Sequence, residues 1–276
     1  MRETQDGNTI MVEYQSIHEF ISYIKNAKPN ETFKNSFDRR SEVEGAERAR
    51  FTGTQSMQEA LDIFSNGWDN GTEKLSHIFR EKVKANDIQK VRRNVIGVQG
   101  YQAIVPLYLM GQPESMVSSV LKPMKQKVVT IDKDISYHGG ISSDDIFEYS
   151  ANALRIVHSL EGQGIRCNIN VILGTEASNK RYIVKVRIKS ANERFNIHKM
   201  SFPLAHTSML RRFYFKWIET YPGIPAGYKH GYGHPSSDET LRRAFKDDYI
   251  IPRVLSSYKI EKVKKIEDLK EYKYDK

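Results

Sequence analysis

The chain has a single cysteine, Cys167, so no internal disulfide can form. That excludes the disulfide-stapled class of small secreted domains. Cys167 lies inside the apolar run IRCNINVIL, where a thiol acts as small core filler in a reducing compartment. Long hydrophobic runs are also lacking, since no stretch approaches the roughly 20 apolar residues of a spanning helix. The opening MRETQDGNTIMVEYQ has no apolar signal core, and export by a cleaved peptide is not expected. The sequence carries no Walker A phosphate loop, no Gly-x-Ser-x-Gly elbow and no dinucleotide fingerprint. Internal repeats are absent, and only the tail SYKIEKVKKIEDLKEYKYDK is compositionally biased.

What remains is a folding composition, 39% hydrophobic and 28% charged, in 276 residues. That length suits one large domain or two modest ones. The formal charge is +9, from 43 basic and 34 acidic residues. Such an excess draws proteins toward phosphate backbones. Here the basic residues are spread along the chain rather than collected in a tail.

Ile17, Phe20, Ile21 and Ile24 recur at helical spacing, and Ser16 with Glu19 forms a capping box ahead of them. Residues 29–50 lack apolar periodicity and read as an exposed, mobile connection. Ser56 with Glu59 caps a second helix through Met57, Leu61 and Phe64, and Asn66-Gly67 is its stop signal. A third helix carries Leu75, Ile78, Phe79 and Val83 inward, and GYQAIVPLYLMGQPESMV reads as a short buried helix or turn pair.

From Lys127 the pattern changes. KVVTIDKDI is rich in β-branched residues and predicts a strand. Ile146, Ala153, Leu154, Val157 and Leu160 then predict a helix, N-capped by Ser142 and stopped at Gly162/Gly164. IRCNINVIL and RYIVKVRIK predict two further strands, joined closely enough for antiparallel pairing. HTSMLRRFYFKWIETYP is helical, with Met209, Leu210, Phe213 and Trp217 on one side and Pro222 as terminator. In the charged tail, Ile260, Val263, Ile266 and Leu269 recur at three-residue spacing, which predicts a solvent-washed helix.

Candidate chemistry concentrates in IDKDISYHGGISSDDI. Ligands bind at the C-terminal ends of strands in open α/β sheets. The oxygens of Asp134 and Ser136 suit a hard cation such as Mg²⁺. On this strand–helix order and the Asp-x-Ser at the strand end, the segment resembles the von Willebrand factor A fold, whose metal site begins Asp-x-Ser-x-Ser. The resemblance implies Mg²⁺ or Mn²⁺ held by Asp134 and Ser136, with His138 in place of the second serine and Thr175 and Thr207 as available later hydroxyls. FTGTQSMQEALDIFSNGW, VPLYLMGQPESMV, ISSDDIFEYSANALRIVHSLEGQG and FPLAHTSMLRRFYF are similar to a set of uncharacterised bacteriophage proteins. That likeness spans most of residues 51–215 and implies a virus-encoded protein of the host cytoplasm or the virion.

Two other constellations compete. His206, His230 and His234 have the ligand types of a zinc site, but His230 and His234 fall in a glycine- and proline-rich loop rather than on a helix. Arg181, Lys185, Arg187 and Lys189 on one strand, with Arg211 and Arg212 in LRRFYFKW, form a basic, aromatic-interleaved set suited to nucleic acid. Their bland counterpart is a solvated strand face.

The expectation is an α/β protein with a von Willebrand A-like or Rossmann-type core over 121–225. Residues 1–50 supply a helix and a connection, 51–120 a helical region packed on the core, and 226–276 a loop and helical extension. The favoured function is non-enzymatic: a structural or protein-interaction module that engages another phage or host protein through loops at the strand ends, with no cofactor or with Mg²⁺/Mn²⁺. A nucleic-acid-associated protein is the alternative, and a metal-dependent enzyme ranks third.

Overall fold

Strand pairing between distant parts of the chain organises this protein. The computed structural model describes residues 1–82, 93–120, 128–137, 139–177, 179–224, 238–245 and 249–253. In chain order these comprise β1 (Arg2–Asp6), β2 (Thr9–Tyr14), α1 (Ile17–Asn26), α2 (Ala46–Thr52), α3 (Met57–Asn66) and α4 (Asp69–Lys82). Next come β3 (Arg93–Gly97), β4 (Gln102–Ala103), α5 (Val105–Leu109), β5 (Met116–Val120) and β6 (Val128–Asp134). The remainder is α6 (Ser143–Gly162), β7 (Arg166–Ala177), β8 (Lys180–Lys189), α7 (Ile197–Ala205), α8 (Phe215–Thr220), α9 (Asp238–Ala244) and β9 (Tyr249–Ile251). A π-helical turn, Met209–Tyr214, leads directly into α8.

The fold is α/β. Its six-stranded sheet runs β1-β2-β8-β7-β6-β9. β1/β2 and β7/β8 pair antiparallel, and β2/β8, β6/β7 and β6/β9 pair parallel. Side chains alternate across it. Val12, Ile131, Val171, Leu173, Val184 and Val186 face a large core closed by α1, α6, α7 and the π–α8 segment. Ile172, Ile183 and Ile250 face the other way, onto a small cluster with Leu241 of α9 and Phe245 just after it.

The capped helices form as their spacing predicts. Ser16, Ser56 and Ser142 accept from the backbone N–H of Glu19, Glu59 and Asp145, each satisfying one donor that the helix cannot. β7 and β8 form a hairpin paired as far as Ala177 opposite Lys180, so most of the expected 174–180 loop is strand, and Cys167 is fully buried.

Three expectations are corrected. The N-terminal fifteen residues supply a hairpin to the main sheet, turning at Gly7 in the left-handed region (φ 55°). β9 joins the opposite edge, so the sheet is not contained within 121–225. The 29–50 segment is tied down: Phe33 and Ser41 are fully buried, and the Asn30 side chain donates to Tyr221 O at 2.8 Å. Residues 93–120 form a second, three-stranded antiparallel sheet, β3-β5-β4, with α5 exposed rather than buried. Val83, the 121–127 segment and the expected tail helix lie outside the described residues.

Candidate functional site

β6 ends where the sequence placed its chemistry. Its alternation sends Asp132 and Asp134 to the second face and Lys133 into the main core with Val129 and Ile131. Asp134 Oδ1 accepts from the Ser136 N–H at 2.8 Å and from its hydroxyl at 2.5 Å. Both donors come from within the motif, so Asp-x-Ser closes an Asx-type turn at the strand end. Thr175 is fully buried opposite Tyr182, whose ring belongs to the main core. It therefore lies on the other side of the sheet from Asp134. Among the described residues, no three histidine, cysteine, aspartate or glutamate side chains converge on a common point. Of Asp134, Ser136 and Thr175, the structure brings together the first two. His138, His230 and His234 lie outside the described residues.

His206 sits far from solvent, its ring stacked on Phe202 at 4.6 Å and edge-on to Trp68 at 4.5 Å. Its Nδ1 accepts from the Ser208 N–H, and burial pushes its pKa down to about 4. It packs and terminates α7 as a neutral ring.

The basic strand is also drawn inward. Lys185 donates to Asp132 Oδ2 at 2.9 Å, and Asn170 donates to Asp132 Oδ1 at 2.6 Å. Lys189 reaches Glu161 at 2.5 Å and also donates to the Cys167 carbonyl at 3.1 Å. Both lysines are buried, so β8 does not present the continuous basic strip its sequence predicts. Arg181 lies 3.6 Å from Glu176, and Arg187 stands opposite Asn170 in the register. A groove of about 870 Å³ runs over this second face between the β1–β2 hairpin and α9.

Arg211 and Arg212 are buried as well. Arg212 spends its donors on the 41–54 segment: Ser41 O and Val43 O at 2.7 Å, Thr54 O at 2.8 Å, Thr52 Oγ1 at 3.2 Å and Thr54 Oγ1 at 3.3 Å. Arg211 donates to Phe51 O and lies 4.0 Å from the Phe51 ring centroid, and burial lowers its pKa to about 10. Both arginines thus tie the π-helical turn to the 41–54 segment.

Sequence reasoning missed Lys133. It is fully buried, and its ammonium finds three acceptors: Tyr137 Oη and Ser150 Oγ at 2.9 Å and Leu204 O at 2.7 Å. Desolvation pushes its pKa down to about 7, while Asp134 pulls upward. The signal was present in the period-two series Val129, Ile131, Lys133, Ile135, which puts the lysine on the apolar face.

Exposed large apolar side chains are concentrated in and around the second sheet and α5. Val95, Ile96, Val98, Tyr101, Val105, Tyr108, Leu109 and Met110 are all exposed, Leu109 at 78%. Residues 93–120 hold only two charges, Arg93 and Glu114. α5 begins with Pro106 in its first turn, which suits a helix start but removes a donor the small sheet cannot use.

The family whose model matches residues 2–273 is described as a domain of unknown function, DUF7192. The chain belongs to that family. The match runs from β1 to beyond β9, so the family spans both sheets rather than the 121–225 segment alone. No curated protein and no solved structure matches the chain. No helix among the described residues is long and apolar enough to cross a membrane.

Proposed function

We propose that this chain is a non-enzymatic protein-interaction module that engages its partner through the β3–β5–β4 sheet and α5. The observation that carries the reading is the run of eight exposed large apolar side chains between Val95 and Met110, in a stretch nearly free of charge. So dense a run of exposed apolar side chains exceeds the singly scattered apolar residues of an ordinary surface. Interface cores are depleted in charged residues and enriched in tyrosine and methionine, as this surface is.

The charges at the sheet end support the same reading. Asp132 is paired with Lys185, and Asp134 Oδ1 closes on Ser136. The likeness in wording to phage proteins supports a virus-encoded partner system in the host cytoplasm or the virion. The strand–helix order of β6 and α6 supports a von Willebrand A-like relationship in which direct contact replaces the metal bridge.

The test is affinity capture from cells producing the protein, with wild type and a Tyr108→Asp/Leu109→Asp double variant. Both sites are exposed, so the variant should melt with wild type. Specific partners retained by wild type and lost by the variant support the reading. Identical capture by both would overturn it.

A further inference from the structure

The cavities of this molecule differ in whether their charges are already matched. In the large groove on the second face, Lys185 is taken up by Asp132, Arg181 lies beside Glu176 and Arg243 pairs with Glu239. A smaller cavity, about 240 Å³, opens where β2 and β8 end, between the start of α1, the α3–α4 junction and the first turn of α7. One wall is aromatic. Phe64 meets Phe202 edge-on at 5.7 Å, and Trp68 meets Phe202 edge-on at 6.4 Å.

A basic wall is formed by Arg187 and Lys199. Lys189 at its edge is matched by Glu161, and the Glu193 carboxylate accepts the Ser190 N–H at 2.9 Å. Arg187 and Lys199 have no carboxylate within ion-pair distance among the described residues, and the Arg187 Nε is buried with no acceptor among them. α7 starts at this wall with no acid in its first turn, so its dipole adds to the positive field rather than offsetting it.

We infer that this cavity binds a small organic anion, a single planar ring bearing one carboxylate or phosphate group. The aromatic wall selects a flat apolar body, through offset or edge-on ring contact. Unmatched cations select the charge, because a buried guanidinium donor without an acceptor costs free energy that an anionic oxygen recovers. Size excludes larger ligands: pockets for drug-sized molecules start near ~300 Å³, and this one lies below that. The inference is independent of the apolar surface on the second sheet.

The experiment is calorimetric titration of the full chain with benzoate, phenyl phosphate, phenol and inorganic phosphate. One ring-bearing anion should bind once per chain, with phenol and inorganic phosphate at least about tenfold weaker, or ~1.4 kcal/mol. Lys199 is exposed and its removal leaves the core untouched, so Lys199→Gln should fold normally and weaken the anion by about the same factor. Lys199→Glu, which reverses the charge, should weaken it further. The two anions distinguish carboxylate from phosphate. The inference is overturned if neither binds at about 10 mM, if phenol binds as tightly, or if both Lys199 variants keep wild-type affinity.

Discussion

A lysine held in the core by neutral hydrogen-bond acceptors gives the stability of this protein a pH dependence above neutrality. Lys133 is fully buried, with three acceptors for its three donors. Desolvation lowers its pKa from 10.5 to about 7. Between those values the unfolded chain holds a proton that the native state does not, so stability rises with pH. The gain is complete only above the unfolded value and is lost as pH falls toward 7. Cys167 acts in the opposite sense from about pH 9 upward, because burial raises its pKa to about 12. The clean window is therefore pH 7 to 9. Urea denaturation should show stability climbing by roughly 2 kcal/mol across it. Lys133→Met, similar in volume and uncharged, should flatten that slope. A slope that survives the substitution would show that another group carries it.

At the scale of elements, the π turn is the feature that the sequence concealed. HTSMLRRFYFKWIETYP has helical spacing, and a helix is what spacing alone supports. The structure buries every residue from Met209 to Thr220, so no polar face exists for periodicity to find. π turns insert a residue and recur where a helix must serve a special purpose. Here the turn places consecutive arginines against the 41–54 strap, whose backbone carbonyls they hold. The 29–50 segment reads as mobile from sequence because it is held largely through its backbone and carries few apolar side chains. The helices with Ser caps at 16, 56 and 142 were legible because their signals are local. Gly53, the C-cap of α2, adopts φ +83°, and an added Cβ would overlap Thr207 Oγ1 beside the π turn. Gly53→Ala should destabilise by about 2 kcal/mol, combining strain and collision. Gly45→Ala meets no neighbour, but at φ +119° and ψ 156° it forces alanine into backbone that only glycine adopts freely, so strain alone should cost about 2 kcal/mol by thermal melting.

Over the whole molecule, the limits of sequence reading follow from sequence separation. β6, α6 and the β7–β8 hairpin are neighbours along the chain, and their order was readable, including the antiparallel pairing. The partners that flank them were not. β2 pairs β8 with Val12 opposite Val184, and β9 pairs β6 with Ile250 opposite Asp132. No local pattern announces a parallel contact across that much chain. RETQDGNTIMVEY alternates too weakly to reveal that Val12 and Tyr14 are core residues, yet both are buried and the Trp217 indole donates to Tyr14 Oη at 3.1 Å. The same applies to Asp134-x-Ser136: the motif was legible, but its closure on itself is a matter of side-chain geometry.

The topology makes a segment such as 121–225 dependent on both ends of the chain. Cut out alone, it would expose β8 along the edge that β2 covers and β6 along the edge that β9 covers. It would also lose α1, whose Phe20, Ile21 and Ile24 pack into the main core, and the strap carbonyls that satisfy Arg212. Two unprotected edges invite aggregation, and a buried guanidinium stripped of its acceptors costs about 3 kcal/mol or more. The 121–225 fragment should therefore aggregate or show no cooperative unfolding by circular dichroism, whereas residues 1–253 should unfold in one transition for the main sheet. A fragment that melts cooperatively on its own would mean that the terminal strands decorate a core already complete. The family match from residue 2 to residue 273 agrees with the opposite view, in which the two ends of the chain close one sheet.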